Sequence, residues 1–263
     1  MTAQVVTRTV WMLRAMLALQ VGLAGMIVLS DFQRLAPGRF HNSSAPPASV
    51  PVQPGDQTRR YSPRSVPDDR PARPDFPRGP DTPARLRFTE SVVDGAESVS
   101  LEGRIAPGDG DRFEDYLAGR ASVPDEIVLH SPGGSVHDAL QIGRVIRAGG
   151  WPVTIQDGAA CFSACPYILA GGAQRRVSQG ALIGVHQHYF GESTILPAFL
   201  AVESIQRGQA EVLVYLDEMG IDLRLMARAM QTAPDSIYIL VEAELTDFGM
   251  ATEMVDQVPP RRP

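Results

Sequence analysis

The sequence predicts an α/β domain with a largely parallel, helix-covered sheet, set behind an apolar N-terminal segment and a proline-rich linker. Three observations carry this reading. From residue 87 onward, strand-like and helix-like runs alternate. In residues 32–86 apolar periodicity disappears, and Pro, Arg, Asp and Ser dominate. At the start of the chain lies one uncharged apolar run, Ala15 to Ser30, broken only by Gln20 and closed by Asp31.

Residues 1–31 read as a targeting signal. The run is slightly short of the ~20 residues a spanning helix needs. Val10 to Leu13 extend it, with Arg14 snorkelling to the interface. Arg8 and Arg14 precede the run, which favours a cytoplasmic N-terminus and an exported remainder. No clean small-residue cleavage site precedes Asp31, so an uncleaved anchor is expected, with a cleaved signal peptide as the competing reading. Residues 32–86 then read as a disordered spacer. Stretches such as Ser44-Ala-Pro-Pro-Ala-Ser and Pro67-Asp-Asp-Arg-Pro cannot bury enough apolar surface to offset chain entropy.

Residues 87–257 are the expected globular domain, with 258–263 as a disordered tail. Ser98 to Ile105 reads as a strand, Asp111 to Ala118 as a helix and Glu126 to His130 as a short apolar strand. Val136 to Ala148 places Ala139, Leu140, Ile142, Val145 and Ile146 at helical spacing. Trp151 to Gln156 reads as a strand, Ser163 to Ala170 as an apolar helix and Ala181 to Val185 as a strand. A long amphipathic helix follows over Ala198 to Met219, with Pro197 suited to its first turn. A helix over Leu223 to Met230, a strand over Ile237 to Leu240 and a helix over Val241 to Phe248, closed by Gly249, complete the domain.

Composition removes several chemistries. The chain carries a net charge of −6 with scattered acidic residues, and it has no basic stripe with interleaved aromatics, so nucleic acid is not an expected partner. It contains no lysine, which excludes a Ser-Lys dyad, a Schiff-base lysine and a P-loop lysine. Its two cysteines, Cys161 and Cys165, lack zinc-ligand spacing, and no metal or cofactor is expected.

Four segments can carry chemistry. Ser131-Pro132-Gly133-Gly134-Ser135-Val136 lies between a strand and a helix, where N–H groups can face a developing oxyanion. Ser163, among Ala159, Ala160 and Ala164, sits at another strand-to-helix junction, a nucleophile position or a helix cap. His186 and His188 end an apolar strand and share one face, so they compete for one role. Asp235 precedes a strand and could orient a histidine or simply shape a turn.

Together these segments resemble the caseinolytic Clp protease family. Ile127 through Ser131-Pro132-Gly133-Gly134 to Val136 is similar to its strand and glycine turn. Ser163 to Gly172 resembles its nucleophile helix, and Gly184-Val185-His186-Gln187 its histidine strand. Pro234-Asp235 and the acidic helix ending at Phe248-Gly249-Met250 resemble its aspartate region and closing helix. The resemblance covers roughly residues 95–257. It implies a ClpP/crotonase fold of repeated ββα units, with Ser163 as nucleophile, His186 as base and Asp235 as orienting acid. It also implies that Gly134 and Ala164 supply the oxyanion N–H groups.

The chain departs from that family in two ways. Cys161 and Cys165 bracket the nucleophile; they could bridge in an oxidising compartment or remain two small buried thiols. The N-terminal anchor resembles that of membrane-linked relatives such as signal peptide peptidase A, whose Ser-Lys chemistry is impossible here. The expectation is therefore an inner-membrane, single-pass serine peptidase with its domain in the periplasm. Its partners would be a peptide or protein substrate and the membrane, and a homo-oligomer stays open. The rival readings are a non-catalytic relative that binds peptides, and a crotonase-type acyl-CoA enzyme, which would leave Ser163 and His186 without a task.

Overall fold

The computed structural model describes residues 2–35, 45–64, 82–93, 96–187 and 198–255. The chain divides into two units, residues 1–44 and 45–263. Among the described residues, the first holds one helix, α1 (Thr2–Leu35). Its segment Arg8–Leu29 has a mean hydropathy of 1.9 over 22 residues, long and apolar enough to cross a membrane. At 1.5 Å per residue this reaches about 33 Å, against a hydrocarbon core of about 30 Å. The helix runs unbroken through Val10–Leu13 and Arg14 into the apolar run from Ala15.

The second unit is a mixed α/β domain. It opens with β1 (Thr58–Arg60), β2 (Arg87–Val93), β3 (Ala96–Glu102), α2 (Asp109–Ala118) and β4 (Glu126–His130). Next come α3 (Val136–Gly149), β5 (Val153–Ile155), β6 (Ala160–Phe162), α4 (Cys165–Gly171), β7 (Arg175–Ser178) and β8 (Leu182–Val185). The last elements are α5 (Ala198–Glu218), α6 (Arg224–Gln231), β9 (Ser236–Ile239), α7 (Glu242–Asp247) and β10 (Glu253–Val255). A six-stranded sheet runs in the order β10-β7-β5-β4-β3-β2, parallel except for the β2–β3 pair. A four-stranded sheet runs β1-β9-β8-β6, with β6 and β8 parallel. A bridge between Ser131 and Cys161 joins the end of β4 to β6, so the two sheets meet at the glycine turn.

Sequence pattern explains the large sheet. β4 is buried from Ile127 to His130, as expected of a parallel strand covered on both faces. α3 buries Ala139, Leu140, Ile142 and Ile146 on the face their spacing predicts, and Ser135 caps its start. Behind it, α3 and α4 cross backbone to backbone: a Cβ on Gly171 would lie 2.3 Å from the Gly143 carbonyl oxygen. Arg147 then gathers helix-end carbonyls, donating to Ala170 and Gly171 (both 2.9 Å) and to Met219 (3.2 Å).

One expectation is corrected. Residues 45–64 fall inside the stretch that composition assigns to a disordered linker, yet they pack on the domain. β1 pairs antiparallel with β9, Arg59 opposite Ile237. Ala48, Val52 and Tyr61 lie against the buried cluster of Ala160, Phe162, Ile237 and Ile239. The physical reason is Arg59. Its side chain is fully buried, and its guanidinium donates to the carbonyls of Pro51 (2.7 Å), Thr58 (2.9 Å) and Val50 (3.2 Å) and to Asp56 (3.3 Å). One cation thus satisfies carbonyls that a segment poor in secondary structure would otherwise bury unpaired. The linker expectation for 36–44 and 65–81 and the tail expectation for 258–263 lie outside the described residues.

Limited proteolysis tests this boundary. The smallest resistant fragment should begin near residue 45, and Arg59→Ala should expose the 45–61 segment and move the boundary toward residue 87. A wild-type fragment that already begins near 87 would contradict the docking of β1.

Candidate active site

The site is built around Ser163. β6 is short and buried, and it pairs with β8 so that Phe162 faces Gly184. The chain then turns sharply into α4, whose first turn holds Pro166. Ser163 makes the turn at φ 63, the one positive-φ residue other than glycine among the described residues. Such a conformation costs about 1–3 kcal/mol and persists only where neighbours enforce it. Its N–H donates to the Gly184 carbonyl (3.0 Å), and the Phe162 N–H to Ser131 (3.0 Å). From Ala159 to Gly172 every residue is buried except Ser163. The nucleophile candidate is therefore the single position at which this buried stretch opens outward.

The disulfide Cys161–Cys165 spans the same turn, with Cα atoms 5.2 Å apart. The two cysteines belong to different elements. Cys161 belongs to β6 and Cys165 opens α4, so the bridge staples the elbow itself.

His186 follows β8 and is buried. Its Nε2 lies 2.7 Å from Ser163 Oγ. Gln187 anchors the chain beyond it, its N–H donating to Thr232 O (3.0 Å) and its side chain to Met230 O (2.8 Å). With Nε2 unprotonated, the imidazole accepts a hydrogen bond from the Ser163 hydroxyl, the geometry that general-base activation of a serine requires. His188, the competing histidine, lies outside the described residues.

The glycine turn closes over the elbow. Gly133 has φ 94 and Gly134 φ 146. A Cβ on Gly133 would meet Phe162 O at 2.5 Å, Ser163 Cβ at 2.6 Å and Ala164 N at 2.8 Å. Only glycine admits that approach. Ile105 holds the far side of the turn, donating to Gly133 O (2.9 Å) and accepting from Ser135 N–H (2.8 Å). Among the described residues, the N–H groups of Gly134 and Ala164 are not used in these hydrogen bonds, so both oxyanion candidates stay available beside Ser163.

Asp235 is placed differently. It is exposed, and its carboxylate accepts from Ser236 Oγ (3.1 Å). The structure thus brings Ser163, His186, the glycine turn and Ala164 together, while the Asp235 carboxylate bonds within its own turn.

Two residues at the site escaped sequence reasoning. His130 is buried and accepts the Ala160 N–H at Nδ1 (3.1 Å), which ties β4 to the strand that carries the elbow. Tyr61 comes from the proline-rich segment, and its ring centroid lies 4.5 Å from that of His186. The signal for Tyr61 was faint: it is the aromatic that follows Thr58-Arg59-Arg60 in a stretch of otherwise small and polar residues. No group of three His, Cys, Asp or Glu side chains among the described residues could hold a metal ion.

No protein-family model and no curated protein matches this chain. Among solved structures, it is similar to a mutant of 1510-N, a membrane-bound stomatin-specific protease, with 19% identity and a TM-score of 0.43, covering 60% of this chain and 77% of that one. It is also similar to a ClpP1 mutant from Listeria monocytogenes, with 17% identity and a TM-score of 0.47, covering 63% of this chain and 94% of that one.

The staple across the elbow can be checked directly. Protein recovered without reductant should have both thiols closed to alkylation, and Cys161→Ser with Cys165→Ser should lower stability by about 2 kcal/mol, the chain-entropy value for so short a loop. Two freely alkylated thiols would reject the bridge.

Proposed function

We propose that this chain is a membrane-tethered serine peptidase whose nucleophile is Ser163 and whose general base is His186. The observation that carries the reading is the 2.7 Å contact between His186 Nε2 and Ser163 Oγ, at a strained elbow under a glycine turn. His186 takes the Ser163 proton as Oγ attacks a peptide carbonyl carbon. The carbonyl oxygen becomes an oxyanion facing the N–H groups of Gly134 and Ala164. The C–N bond then breaks, and His186 returns the proton to the leaving amine. Water, deprotonated by His186, attacks the acyl-enzyme; a carboxylic acid leaves and Ser163 Oγ regains its proton. The substrate is a peptide or protein, as the sequence resemblance to the Clp family implies.

Asp235 enters this reading as a weak contributor, because its carboxylate is exposed and engaged by Ser236. α1 supplies the tether. Arg8 and Arg14 at its N-terminal side favour a cytoplasmic N-terminus, which would put the domain in the periplasm. The Cys161–Cys165 bridge fits an oxidising compartment. The placement of Asp235 also favours a second reading, a peptide-binding relative without turnover.

A serine-reactive fluorophosphonate probe separates the two. The wild type should be labelled, Ser163→Ala should be silent, and His186→Ala should lose at least about 10³-fold in rate. Asp235→Asn should slow labelling by less than about tenfold, whereas a triad aspartate bonded to the base costs roughly 10⁴-fold. A folded wild-type protein that takes no label would favour the binding protein.

A further inference from the structure

Tyr61 precedes the domain that composition delimits, yet it reaches both the histidine and the glycine turn. Its N–H donates to Asp235 O (3.0 Å), carrying the β1–β9 pairing one residue beyond Arg60. Its ring lies against the His186 imidazole, tilted by 44°. Its hydroxyl donates to the carbonyl of Pro132 (2.8 Å), the residue directly before Gly133-Gly134. One side chain therefore contacts both the base and the turn that bears an oxyanion donor.

Resting on the serine-peptidase reading above, we propose that Tyr61 is a positioning residue, holding the His186 ring and the glycine turn in register for acyl transfer. A general base needs its imidazole fixed so that Nε2 stays within about 3 Å of the serine oxygen, and a third group commonly does this. The Asp235 carboxylate is turned to Ser236, while Tyr61 bears on the ring itself. Tyr61 is also delivered by a fixed element. Arg59, two residues before it, is buried and bonded to four oxygens, and Gln57 pairs with Ile239 through both backbone and side chain. Burial pushes the Tyr61 phenol above its ordinary value, against the opposing pull of the Ser163 hydrogen bond and the Arg104 charge. The hydroxyl thus remains a donor to Pro132 at neutral pH.

The test uses the full-length protein and two readouts. Tyr61→Phe keeps the ring and removes the hydroxyl; Tyr61→Leu removes the ring. With p-nitrophenyl acetate, kcat should fall by about fivefold in Tyr61→Phe, which keeps the ring against His186 and loses the hydroxyl's bond to Pro132. In Tyr61→Leu it should fall by about 10- to 100-fold, the scale of a small misplacement of reacting groups. KM should be unchanged in both, since the role concerns the base and not substrate binding. The second readout is independent of turnover: the nitrogen-15 resonances of the His186 imidazole should shift in Tyr61→Leu and return in Tyr61→Phe. If the wild type does not turn over but the resonances still follow the ring, the peptidase reading falls and the coupling of Tyr61 to His186 stands. If Tyr61→Leu matches or exceeds the wild-type rate, or leaves the resonances unmoved, the positioning role is overturned; a faster rate would mark the segment as a cover over the site.

Discussion

The α-carbon of Gly133 rests on the backbone of the serine elbow, with no room for even a methyl group between them. Much else depends on that contact. It is where the two sheets meet, through the bridge of Ser131 to Cys161 and the hydrogen bonds of Ser131 to Ala160 and Phe162. It brings Gly133 to within 2.8 Å, measured from a Cβ it lacks, of the Ala164 nitrogen. It also helps enforce the positive φ of Ser163, which an isolated chain would avoid. Three further restraints act on the same turn: the Cys161–Cys165 bridge, the pairing of β6 with β8, and the Pro at the start of α4. A serine at positive φ can be stable only when surrounded in this way.

A second constraint follows from the lysine-free composition. Arginine handles the buried carbonyls that irregular segments create. Arg59 organises residues 45–61, Arg147 closes the ends of α4 and α5, and Arg175 joins Gly172 (2.9 Å) to Gly249 (2.7 Å). The planar guanidinium carries several donors in fixed directions, so one side chain can reach carbonyls from separate segments. In the first case this has a consequence for the site, because the segment that Arg59 orders carries Tyr61 to His186.

What the sequence made legible was whatever had a strong period or a strong local constraint. β4 is found where Glu126 to His130 predicted it, and α3 differs from its expected span by one residue. Gly133-Gly134, Ser163 and His186 stood out because each lies where a strand ends, and the structure brings them together. The misses have physical causes. β6 is three residues long and abuts an apolar helix, so Ala160-Cys161-Phe162 has no period of its own to reveal it. β7 is masked by the charge of Arg175 and Arg176, although it pairs on both sides. β1 was hidden by composition: a few apolar residues and one buried arginine outweigh a proline-rich background that reads as linker. Asp235 was matched through its position before a strand, and such a match says nothing about side-chain direction.

The most direct measurement is the rate of Ser163 phosphonylation in Gly133→Ala. The substitution adds one methyl group and leaves the Ser163 hydroxyl and the His186 imidazole chemically unchanged. If the approach of the glycine turn to the elbow makes the site, the rate should fall by at least about 100-fold, the effect of losing an oxyanion donor, while far-ultraviolet circular dichroism stays that of the wild type. A folded Gly133→Ala protein labelled at the wild-type rate would contradict the account.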